Sequence, residues 1–142
     1  MRAYRVLVVA AVLLLGADEP TKDEGMMAAT GLEGTWALVS STREGKEDGD
    51  PVGTIMAFRG GVHTVKVYSL ESSFSYHINP HTGTIDLDRF LARVGRDYPK
   101  GIYQLRGNEL KICWSSCGRR RPKDFTAAKG SGDFLVVLRR LK

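Results

Sequence analysis

From residue 35 onward, apolar and polar positions alternate with a period of two, the spacing of a β-strand that buries one face. At 35–41, Trp36 and Leu38 fall on one face and Ala37 and Val39 on the other; at 72–78, Phe74, Tyr76 and Ile78 share a face. Further runs rich in β-branched and aromatic residues lie at 54–58, 62–68, 84–87, 102–105, 110–114 and 134–141. Turn signals separate them: Gly60-Gly61, Asn79-Pro80-His81-Thr82-Gly83, Arg106-Gly107-Asn108-Glu109 and Gly130-Ser131-Gly132. The stretch 43–51 is hydrophilic and reads as a loop. Phe90, Leu91 and Val94 have the spacing of one helical turn. Eight short strands with turn signals about every 8–12 residues, and no long helix, predict an all-β fold. Eight antiparallel strands that close into a barrel leave no open edge, and enclose room for packed side chains or one small ligand.

The start of the chain breaks this pattern. Arg2 and Arg5 flank the beginning of an unbroken apolar run of ten, residues 6–15; Gly16-Ala17 and then Asp18-Glu19-Pro20 follow. This is the layout of a secretory signal peptide, with cleavage expected after Ala17. The run is short of the roughly 20 apolar residues that a transmembrane helix needs. Residues 1–17 therefore read as a signal peptide, 18–30 as a polar tether and 31–142 as one barrel domain. The expected destination is periplasmic or extracellular, with no transmembrane helix in the mature protein.

Composition agrees with a single folded domain: 142 residues, 42% hydrophobic and 26% charged, values that exclude wholesale disorder. The formal net charge of +5 is uneven. Residues 18–71 carry 5 basic and 10 acidic side chains, residues 72–142 carry 14 and 6. The densest charge is Arg119-Arg120-Arg121 with Lys123. This loop is either an anion-binding site, for an anionic envelope polymer or partner, or a solvated turn. Export and the scarcity of neighbouring aromatics, only Trp114 and Phe125, argue against nucleic acid.

Candidate chemistry is sparse. Two cysteines exclude a four-thiolate zinc site. Cys113 and Cys117 would stand about 13 Å apart on a straight strand, so a disulfide requires the chain to turn at Ser115-Ser116. The alternative is a buried Cys113 and a free Cys117. His77 and His81 are four apart, but Pro80 and the turn deprive that spacing of its helical meaning, and with His63 they read as solvated residues. Asp86 and Asp88 flank a strand end as turn and edge residues. No nucleophile motif or glycine-rich phosphate loop is present, so no catalytic residue, metal or cofactor is assigned.

Leu32-Glu33-Gly34-Thr35-Trp36 places a Gly-x-Trp at the first strand. Gly45-Lys46, Thr84-Ile85-Asp86-Leu87, Gly101-Ile102-Tyr103, Leu110-Lys111-Ile112-Cys113, Arg121-Pro122-x-x-Phe125, Gly130-Ser131-Gly132 and the strand at 135–139 follow in order. Together they resemble a family of uncharacterised exported lipocalin-like (calycin-type) domains, abundant in planctomycete-type bacteria. The resemblance spans residues 30–140. Phe90-Leu91-Ala92-Arg93 and the second cysteine, Cys117, depart from the family pattern. The resemblance implies an eight-stranded antiparallel lipocalin-like barrel in which a basic residue of the last strand, Arg139 or its neighbour Arg140, stacks on Trp36. It assigns no reaction.

The function expected is therefore non-enzymatic binding of a small apolar or amphipathic ligand in the barrel. Trp36, Phe58, Tyr76, Tyr103 and Trp114 are the candidate lining residues, with ordinary core packing as their alternative role. The second expectation is a cell-envelope interaction protein using Arg119, Arg120, Arg121 and Lys123.

Overall fold

The computed structural model describes residues 31–49, 53–88, 98–116 and 118–142. The expected signal peptide and tether, the helical turn around Phe90, and Cys117 lie outside the described residues. The strands are β1 (Gly34–Arg43), β2 (Lys46–Gly49), β3 (Ile55–Arg59), β4 (Val62–Val67), β5 (Leu70–Asn79), β6 (Thr84–Asp88), β7 (Lys100–Arg106), β8 (Glu109–Trp114) and β9 (Phe134–Arg140). Among the described residues there is no helix, hence none long and apolar enough to cross a membrane.

From β3 to β9 each strand pairs antiparallel with the next, and β9 returns to pair with β1. β9 runs along one edge of β1. The other edge is shared: β3 pairs with residues 34–37 and β2 with residues 40–43. β2 and β3 thus occupy one place in the ring, and the chain is a closed, eight-stranded, antiparallel all-β barrel. Closure pairs the edges that an open sheet would expose.

The expectation of a loop at 43–51 needs correction. Residues 46–49 form β2, all four exposed, so they carry no apolar alternation to mark them as a strand. Their pairing comes from the turn: Glu44 at φ 50° and Gly45 at φ 70° both take the left-handed conformation of a two-residue hairpin.

Period-two alternation fills the interior. Trp36, Phe58, Tyr76, Ile85, Leu110, Ile112, Val136 and Leu138 are buried together with Leu32 beneath them. One interruption matters for the site. The β1–β9 register shifts between Leu38 and Ser40, so Val39 bulges outward and is 45% exposed. After the bulge the inward parity changes, and Arg43 comes to lie over the ring of Phe134 at 4.2 Å.

One end of the barrel is sealed. Arg140 pairs in register with Trp36 and its guanidinium lies 4.1 Å over the indole. The same guanidinium donates to the carbonyls of Glu33 and Gly31. The Trp36 indole N–H donates to Leu32 O at 3.0 Å, and Gly60 N donates to the Glu33 carboxylate. Gly34 at φ 136° takes a backbone conformation that residues with a side chain rarely adopt, and a Cβ there would stand 2.9 Å from an Arg140 nitrogen and push the guanidinium aside. The expectation that named Arg139 as the stacking residue is corrected: Leu138 and Arg140 share the inward parity, while Arg139 faces solvent.

The segment between β8 and β9 folds back across the outside of the wall. Cys113, Ala127 and Leu135 form a second buried cluster there, with Ile102 and Phe125 against it. Hydrogen bonds from Gly45 N to Ala127 O and from Gly130 N to Glu44 fasten the segment to the β1–β2 hairpin.

Candidate functional site

Among the described residues, the other end of the barrel is open. Met56 of β3, Val65 of β4, Phe74 of β5, Leu87 of β6, Trp114 of β8 and Phe134 of β9 line a cavity of about 550 Å³. Their positions follow from the strand directions: each is an inward residue, and all but Phe74, which is midway along β5, lie toward the same end of their strands. Arg43, Glu44, Ser115, Ser116 and Asp133 form a polar rim. Such a volume falls in the range of small-molecule sites, about 300–1,000 Å³. An apolar wall under a polar rim suits a ligand with an apolar body.

The floor of this mouth carries His63. The alternation His63, Val65, Val67 places it on the inner face, where it is 3% exposed. The expectation of a solvated histidine is thereby corrected for His63; His77 and His81 are exposed. Burial pushes the His63 pKa down to about 4, against a hydrogen bond to the Ala57 backbone, so the ring is neutral near pH 7. Its ring stacks on Phe58 with centroids 4.4 Å apart.

The five residues expected to line a ligand divide. Trp114 lines the mouth. Trp36, Phe58 and Tyr76 are fully buried core, with Phe58 edge-on to Tyr76 at 5.3 Å between centroids. Tyr103 is half-buried and packs against that core. These four do not line the mouth: the interior toward the sealed end is filled by their own side chains. Gly101 shows how tight the packing is, since a Cβ there would come within 2.7 Å of the Trp114 ring.

The basic loop is also divided. Arg121 donates two hydrogen bonds to the carboxylate of Asp86 and one, of 2.7 Å, to Gly101 O. It is a brace between the outer loop and the strands β6 and β7, and this removes it from the anion-binding candidates. Arg119 donates to Ser131 O, while Arg120 and Lys123 project into solvent. The groove along these residues also holds Asp124 and Asp133, so its charge is mixed.

Cys113 is a buried free thiol on the outer face of β8. Burial, assisted by the charge of Asp133, pushes its pKa up to about 11, which keeps it protonated and unreactive at neutral pH. Cys113 is buried and has no disulfide partner among the described residues; a pairing with Cys117 lies outside them.

Fold and site together define a closed eight-stranded barrel with one end latched shut and one apolar mouth. Comparison with protein-family models, with curated proteins and with solved structures finds no match.

Proposed function

We propose that this chain is an exported, non-enzymatic barrel that binds a small apolar or amphipathic ligand in its open mouth, and that it belongs with the lipocalin-like exported domains it resembles. The observation that carries the binding role is the cavity of about 550 Å³ walled by six apolar side chains. The stack of Arg140 on Trp36 beside Gly34 supports the kinship, since that is the contact the Gly-x-Trp resemblance implies. The alternative, an envelope protein gripping an anionic polymer, draws less support, because Arg121 is committed to Asp86 and the groove carries two carboxylates.

A fluorescent apolar probe such as N-phenyl-naphthylamine tests the role. Wild-type protein is expected to bind it saturably at one site. Val65→Trp, which fills the mouth, is expected to weaken binding at least tenfold with the fold retained. Absence of a saturable signal, or equal binding by Val65→Trp, would remove the basis for the proposal.

A further inference from the structure

The two most exposed large apolar side chains among the described residues stand together: Tyr68 is 71% exposed and Leu70 74%. Val39, Val62 and Leu141 are exposed singly elsewhere, as is ordinary for a protein surface. Val67 pairs with Leu70, so Tyr68 and Ser69 form a two-residue turn between β4 and β5. Val65 lines the mouth and lies two residues before Val67 on β4, so this turn projects from the mouth end. The charges nearest the turn, Lys66 and Glu71, are opposite each other in the ladder and balance.

The residue choice here runs against the backbone. Tyr68 takes φ 54°, a left-handed conformation that bulky side chains rarely adopt. The β1–β2, β3–β4 and β7–β8 turns carry glycine at positive φ: Gly45, Gly60 with Gly61, and Gly107. Two other residues share the left-handed conformation, and each has a place in the fold. The Glu44 carboxylate accepts from Gly130 N, and Ala127 is buried in the outer cluster. Tyr68 instead turns a strained aromatic to solvent. Strain retained at an exposed position is the mark of a contact made outside the chain.

Size and chemistry select the partner. A single aromatic offers about 150–250 Å², and Leu70 adds no more than that. A stable protein interface buries roughly 800 Å² on each partner. A bilayer sets no such minimum: apolar side chains enter it singly, and tyrosine settles at its interface with the ring in lipid and the hydroxyl in water. A tip without net charge suits a zwitterionic leaflet.

We propose that the β4–β5 turn docks this protein on a lipid bilayer, with Tyr68 and Leu70 entering the interface of a zwitterionic leaflet. The barrel then stands with its mouth toward the lipid. The contact belongs to the turn and not to the cavity, so it stands or falls separately from the binding role that N-phenyl-naphthylamine tests.

The test uses phosphatidylcholine bicelles doped with a spin-labelled lipid and follows the protein's amide resonances. Val67, Tyr68 and Leu70 are expected to broaden, while Gly61 and Gly107, at the sealed end, stay sharp. The pattern should persist in about 0.5 M salt, where surface charge is screened. Tyr68→Gly relieves the strain, so it is expected to hold or raise the urea midpoint. It should nevertheless raise at least tenfold the lipid concentration that half-broadens the Val67 amide, as should Leu70→Ser. A merely structural tyrosine would lower the midpoint when replaced and leave the lipid response in place. Broadening that is absent, equal at both ends, or lost in salt would overturn the proposal, the last by moving the contact to the basic loop. An unchanged lipid response in both variants would overturn it too. So would a concentration-dependent dimer that Tyr68→Gly dissolves, since the turn would then meet a second copy. If a variant does not fold, the wild-type broadening decides.

Discussion

Tyr76 carries its hydroxyl into the barrel with no hydrogen-bond partner among the described residues. Burial, with the charge of Glu33 adding to it, pushes the phenol up to about 12, so it stays neutral. A buried hydroxyl without a partner contributes nothing to offset its lost hydration. Tyr76→Phe is therefore expected to leave stability unchanged or raise it by up to about 1 kcal/mol, read from the urea midpoint; a loss above that size would mean that the hydroxyl has a partner. His63 makes a pH prediction. Its folded pKa of about 4 lies below the ordinary histidine value of 6.5 expected for the unfolded chain. Between those values the unfolded chain binds more protons, so the stabilising contribution is complete above pH 6.5 and falls as pH drops toward 4. The difference corresponds to about 3 kcal/mol. His63→Leu should flatten the pH dependence of the urea midpoint over that window, and an unchanged slope would contradict the buried neutral ring. The position of His63 was legible in principle. It shares parity with Val65 and Val67, but three histidines near turns read more readily as solvated residues.

At the scale of elements, parity along a strand decides what each side chain can do. Arg139 and Arg140 are adjacent, yet one meets water and the other seals the barrel. Arg140→Ala removes an indole stack and two hydrogen bonds to backbone carbonyls, and is expected to cost about 1–3 kcal/mol. Arg139→Ala should stay within about 0.5 kcal/mol, as exposed substitutions do. Equal effects in parallel urea titrations would contradict the latch. The alternation of β1, β5, β8 and β9 could be read in the sequence because each strand turns one apolar face inward. The bulge at Val39 could not, since it depends on how β1 meets β9 about 100 residues later. Nor could β2, whose four side chains are all exposed. The brace from Arg121 to Asp86 joins residues 35 apart in sequence, and neither one signals the other.

At the scale of the whole molecule, closure of the ring creates two unlike ends. The sequence motif Gly34-x-Trp36 announced the sealed end. The mouth was announced only in part, by Trp114, because its other walls come from five different strands and each contributes one unremarkable apolar residue. The charge that seemed to distinguish the basic half is spread over a brace, a loop contact and two solvated side chains. The two tryptophans conveniently report on the two ends: Trp36 under the latch and Trp114 in the mouth. The most direct test of the binding role follows both indole N–H resonances, with the Met56 methyl, during titration with n-octanol. The Trp114 and Met56 signals are expected to shift saturably while Trp36 stays in place. Unmoved Trp114 and Met56 signals, or a Trp36 shift as large as that of Trp114, would contradict a ligand site at the mouth.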